Sequence, residues 1–210
     1  MDERLGIFGG TFDPVHQGHL IVAERVREQL RLSRVLFIPA GNPVFKQNRI
    51  VSPAPARLEM VRLAIESNPN FEVSSVEIDR PGPTYSEDTI LELRSALGSM
   101  AKFFFIMGLD LLADLPAWKN PFRLIEECQV VAVTRPGDRF DPKQLEEDLP
   151  GAAHSIMYLD VPRIEISSTD IRNRVAQGLS IKYLVPGDVE QYIREHRLYA
   201  KEGGENAGCG

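Results

Sequence analysis

Short apolar runs, spaced by segments of helical periodicity, constrain this chain more than any other feature. The runs cover residues 5–8, 35–38, 102–107, 130–133 and 156–159, while residues 71–78 alternate apolar and polar side chains. A strand that is apolar along its length cannot leave one face in water, so these runs predict a sheet covered on both sides. Between them, Leu20, Ala23, Val26 and Leu30 keep helical spacing. So do Leu58, Val61 and Ile65, and residues 89–97 return to the same period. Strands alternating with helices predict an α/β protein, a Rossmann-like doubly wound parallel sheet. Residues 1–200 read as one domain, and the polar, glycine-rich residues 201–210 as a disordered tail.

Composition narrows the function classes. A formal net charge of −6 over 210 residues argues against a broad grip on nucleic acid, which needs a basic face. The two cysteines, Cys128 and Cys209, form neither a disulfide framework nor a zinc ligand set. The opening Met-Asp-Glu-Arg lacks the basic start and apolar run of a signal peptide, and no stretch of about 18 apolar residues could span a bilayer. A cytoplasmic protein without membrane contact is expected. A monomer and a small homo-oligomer are equally compatible with the sequence.

Residues 9–19 read Gly-Gly-Thr-Phe-Asp-Pro-Val-His-Gln-Gly-His and join the first strand to the first helix. Gly9 and Gly10 allow a phosphate close to the backbone, and a helix start offers N–H donors and a positive dipole end. His16 and His19 add side-chain donors there, which reads as a site for a nucleotide triphosphate. The Rossmann glycine fingerprint and the P-loop are both absent. Metal ligation by the two histidines lacks a third ligand at a recognisable spacing, so no metal site is expected.

A second stretch, Ile166-Ser167-Ser168-Thr169-Asp170-Ile171-Arg172, begins another helix. Its hydroxyls are ordinary N-cap groups, but with Arg172 one turn later they also suit phosphate oxygens. In open α/β sheets ligands bind beyond the carboxyl ends of strands. The turns Gly108-Leu109-Asp110 and Arg135-Pro136-Gly137 should therefore converge on residues 9–19.

These two stretches resemble the signatures of the HxGH nucleotidylyltransferases, and the bacterial nicotinate-nucleotide adenylyltransferase family in particular. Lys46, Arg57 with Met60, Thr84 to Thr89, Leu115 to Trp118 and Tyr183 to Pro186 extend the resemblance in order and spacing. It implies adenylyl transfer from ATP to nicotinic acid mononucleotide, with Mg2+ carried on the ATP phosphates. It assigns catalysis to His16, His19, Lys46 and Arg172. ATP would lie against Gly9, Gly10, Thr11, Gly108, Asp110, Arg135, Ser168 and Thr169. The mononucleotide would lie against Thr84, Tyr85, Trp118 and Lys119, its carboxylate received by backbone N–H groups beside Trp118 and near Thr84 and Tyr85. On the residues alone, Asp110 could equally be a helix N-cap, and Trp118 a core residue.

The chain departs from the family at Phe45, where a histidine is common, and at Lys119, where an aromatic residue is common. The phosphate motifs themselves do not separate ATP from CTP. A pantetheine-phosphate adenylyltransferase, a cytidylyltransferase and a non-catalytic nucleotide sensor are the competing readings.

Overall fold

The computed structural model describes residues 3–42, 51–98, 100–134, 137 and 140–200. Lys46, Phe45, Arg135 and the 201–210 tail, all singled out from the sequence, lie outside the described residues.

Six strands form one sheet: β1 (Arg4–Gly10), β2 (Arg34–Pro39), β3 (Phe71–Val73), β4 (Lys102–Gly108), β5 (Gln129–Thr134) and β6 (Ile156–Asp160). Their spatial order is β3-β2-β1-β4-β5-β6 and every pairing is parallel. This is the doubly wound arrangement, with the order reversing between β1 and β4. The expected third strand is shorter than its alternating pattern suggested. Pairing with β2 ends at Val73, and Val76–Asp79 turns into a short helix instead.

The period-2 geometry of a strand divides each one between two cores. Phe8, Val35, Phe37, Phe104, Ile106, Val131 and Val133 face one side. There they meet α1 (Gln17–Leu30), α2 (Ala54–Ile65) and two later helices described below. Leu5, Ile7, Ile38, Phe103, Phe105, Met107, Val130 and Ala132 face the other. Ordered along the chain, α3 is the Val76–Asp79 turn. The second core is then covered by α4 (Ser86–Leu97), α5 (Leu109–Ala113), α6 (Pro121–Glu127) and α7 (Pro142–Asp148). After β6 the chain returns to the first face as α8 (Ser168–Ala176) and α9 (Gly187–Glu195), which insert Ile171, Val189 and Ile193. That return brings α8 over the end of β1.

The strands part where the order reverses. Pairing of β1 with β4 ends at Phe8 opposite Ile106. Yet β1 stays in register with β2 as far as Gly10, and β4 with β5 as far as Gly108. The last two residues of β1 and of β4 therefore splay, opening a crevice at the carboxyl edge.

Phe37 anchors the core beneath this edge. It is fully buried, with ring centroids 5.5 Å from Phe8, 5.8 Å from Phe12 and 5.2 Å from Phe71. Phe37→Ala should lower unfolding free energy by about 3–5 kcal/mol in urea titration, with the loss read from the transition midpoint.

Candidate active site

The β1–α1 loop forms the floor of the crevice. Phe12 adopts a left-handed backbone (φ 49°) and turns its ring inward, where it is 3% exposed. Its ring meets His19 edge-on at 5.1 Å, and Phe8 approaches the same imidazole at 6.1 Å. On its other side His19 stacks with His16, centroids 3.7 Å apart and planes 21° from parallel. His16 is the N-cap of α1 and His19 its third helical residue. His19 Nδ1 accepts from the His16 backbone N–H at 3.2 Å, the return contact that Glu or Gln makes in a capping box. With Nδ1 accepting, the proton of a neutral His19 ring sits on Nε2.

Gly18 leaves room for this stack. A Cβ there would lie 3.1 Å from the His16 ring, tighter than ordinary contact. Gly9 differs, since nothing lies within 4 Å of the position its Cβ would take. The end of β1 is thus open to a ligand.

The first turn of α1 is less available than the sequence suggested. Gln17 N–H donates to Leu184 O at 2.9 Å, and His19 N–H to His16 O at 2.9 Å. Leu184 belongs to the α8–α9 connection, so the fold itself occupies donors that a bare helix start would leave open.

Both sequence stretches meet here. Ser168 Oγ donates to Pro14 O at 2.9 Å, and Arg172 Nη1 to Asp13 O at 2.6 Å. Arg172 Nη2 also donates to Thr169 Oγ1 at 3.1 Å. The N-cap of α8 is Ser167, whose side chain accepts from Asp170 N–H, which frees Ser168 for the loop.

Three further groups hold the same loop. Arg57 Nη1 donates to Thr11 O at 2.8 Å, and Tyr199 Oη to Asp13 Oδ1 at 2.7 Å. Asp13 Oδ2 accepts from Ser52 N–H at 3.3 Å. The sequence reading gave Asp13 and Tyr199 no role and took Arg57 only as part of the resemblance. A signal was present for Arg57: it begins the buried stripe Arg57, Met60, Val61, Ala64, Ile65 of α2, an arginine where an apolar residue belongs.

Across the crevice, Gly108 caps β4 and Asp110 is the second residue of α5, exposed. Asp110 is therefore not the N-cap. Its carboxylate lies close over Gly108, in the space a Cβ there would take.

The residues expected to hold the mononucleotide also cluster. Lys119 Nζ sits 4.6 Å over the Tyr85 ring and 3.1 Å from Asp88 Oδ2. Trp118 is half-buried, its ring edge-on to Phe105 at 6.1 Å, so it joins the core while keeping an exposed part. Two of the expected backbone donors are engaged: Thr84 N–H with Asn42 O at 3.3 Å and Trp118 N–H with Leu115 O at 3.0 Å. Among the described residues no group of three or more His, Cys, Asp or Glu side chains could hold a metal ion.

Known proteins are similar to this chain in sequence and in fold. Residues 7–174 match the cytidylyltransferase-like family model. A Thermomicrobium roseum protein named "Probable nicotinate-nucleotide adenylyltransferase" is 48% identical over 93% of this chain and 91% of its own length. A Dehalococcoides mccartyi protein of the same name is 44% identical over 95% of this chain and 98% of its own. The chain belongs to the nicotinate-nucleotide adenylyltransferase family. It is a nucleotidyltransferase. The fold is shared with the Plasmodium falciparum nicotinic acid mononucleotide adenylyltransferase complexed with NaAD, at TM-score 0.73 and 18% identity, over 94% of this chain and 97% of that one.

Glu77, in the α3 turn that follows β3, supplies a pH-dependent element. It is 8% exposed, and its Oε1 accepts from Thr89 Oγ1 at 2.9 Å. Burial pushes its pKa above the ordinary carboxylate value, against opposing pulls from Thr89, Arg80, Thr84 and Arg57. A raised acid binds its proton more tightly when folded, so its stabilising contribution is complete below about 4.5, the ordinary value. That contribution is lost as pH rises through the folded pKa. Relative to wild type, Glu77→Gln should gain most in Tm above that range and lose the margin as pH falls toward 4.5. A margin constant across pH would contradict the assignment.

Proposed function

We propose that this protein transfers the adenylyl group of ATP to nicotinic acid mononucleotide, giving deamido-NAD and pyrophosphate. The observation that carries the reading is the meeting of the His16/His19 turn with Ser168 and Arg172 at the edge where β1 and β4 part. Curated relatives at 42–48% identity bear the name of this activity.

In this reaction the 5′-phosphate oxygen of the mononucleotide attacks the α-phosphorus of ATP. The bond between the α-phosphorus and the bridging oxygen breaks in line with that attack, and pyrophosphate leaves. Nucleophile and leaving group are already anionic phosphates, so neither a general base nor a covalent enzyme intermediate is needed. Catalysis then rests on positioning and on donors aimed at developing charge.

His19 would donate through Nε2 to the α-phosphoryl oxygens, and His16 would face the triphosphate near the bond that breaks. Lys46 and Arg172 would hold phosphates from two sides, with Ser168, Thr169 and the backbone of Gly9, Gly10 and Thr11 completing the cradle. Gly108, Asp110 and Arg135 would face the nucleoside, Asp110 accepting from ribose hydroxyls. Trp118 would lie against the pyridine ring beside Thr84. The pyridine carboxylate would be received by the N–H groups of Tyr85 and Lys119, since those of Thr84 and Trp118 are engaged within the fold. Magnesium arriving on the β- and γ-phosphates takes substrate oxygens and water, and would offset charge on the leaving pyrophosphate. Its donor set needs no protein carboxylate cluster. The reaction uses small dissolved nucleotides, which suits a cytoplasmic protein, and calls for neither nucleic acid nor membrane.

Pyrophosphate release from ATP plus nicotinic acid mononucleotide tests the reading directly; no release would end it. His19→Ala should lower kcat by about 10²–10³ with little change in substrate affinity. A fully active variant would make His19 a packing residue. A carboxylate held by N–H donors also predicts a higher kcat/KM for the acid than for nicotinamide mononucleotide, whose amide brings its own donor. Equal values would remove the carboxylate pocket.

A further inference from the structure

Arg57 is the bulkiest of the fully buried side chains, 2% exposed among the apolar residues of α2. Its guanidinium reaches three backbone carbonyls on three separate segments. Nη1 donates to Thr11 O in the β1–α1 loop at 2.8 Å, Nη2 to Gly41 O beyond β2 at 3.3 Å, and Nε to Ser52 O ahead of α2 at 2.9 Å. Ser52 is gripped from the other side too, its N–H donating to Asp13 Oδ2. Position 41 itself requires glycine, because a Cβ there would run into the Glu77 carbonyl. Burial works against the Arg57 charge, while Asp13 and Glu77 favour it.

Burying a guanidinium among apolar residues carries a large desolvation penalty, and a hydrophobic side chain of similar volume would complete the stripe without it. What such a side chain could not do is hold three backbones at a set spacing. We propose that Arg57 is a positioning residue for adenylyl transfer: its planar fork sets the distance between Thr11, Gly41 and Ser52, and so the attitude in which the β1–α1 loop presents His16 and His19. This rests on the functional reading above. Lysine cannot replace it, because one ammonium on a flexible stem lacks the rigid fork that spans three diverging acceptors.

The test compares wild type with Arg57→Lys in steady-state pyrophosphate release, with folding followed by thermal melting. Misplacement of catalytic groups predicts a kcat lowered about 10–100-fold while both KM values stay within about threefold. A kcat within twofold of wild type, or a raised KM at unchanged kcat, overturns the role. Should Arg57→Lys not fold, the unmutated protein decides. The Arg57 Nε–H resonance, in 15N-arginine-labelled protein, should shift when α,β-methylene-ATP is added, and an unmoved resonance overturns the proposal. A wild type that releases no pyrophosphate overturns the functional reading and the role with it. An active wild type with an unimpaired variant overturns the role alone.

Discussion

The carbonyl groups of the β1–α1 loop are the constraint on which the rest of the site depends. Thr11, Asp13 and Pro14 each offer a carbonyl to a donor from elsewhere: Arg57 of α2, Arg172 of α8 and Ser168 of α8. A loop carrying buried polar backbone cannot stay in place unless those groups are satisfied. Here the satisfying groups come from helices that pack on the same core, so loop position and core packing are mechanically joined. Phe12 completes the arrangement, filling the core with its ring while its backbone stays in the left-handed region.

The two imidazoles gain their order from that fixed backbone. His19 is bounded by Phe8, Phe12 and His16, and the His16 N–H addresses one of its two ring nitrogens. One tautomer and one orientation follow from packing alone, before any ligand arrives. Under the proposed reaction this would be preorganisation: a donor already oriented need not turn as charge develops.

Much of this was legible in the sequence, and the exceptions have physical causes. Uniformly apolar strands announced a covered parallel sheet, and the six-strand parallel order bears that out. The alternation of residues 71–78 misled beyond Val73, because Ser74 and Ser75 turn the chain after it leaves β2. The glycines and histidines of residues 9–19 lie where β1 and β4 part, but the Leu184 carbonyl at Gln17 had no local trace. Nor did Tyr199, a tyrosine near the end of the described chain whose partner, Asp13, is 186 positions away. Local patterns report helices, strands and turns. They do not report which carbonyl a distant side chain will find.

That distance has a consequence for how the protein is made. The bonds from Ser168, Arg172 and Tyr199 to the loop span 154, 159 and 186 residues. All six strands precede these three donors in the chain, so a growing polypeptide can assemble its sheet while the His16/His19 turn still lacks its outer braces. Those braces belong to the segment after β6, so the turn is fully held only once that segment docks.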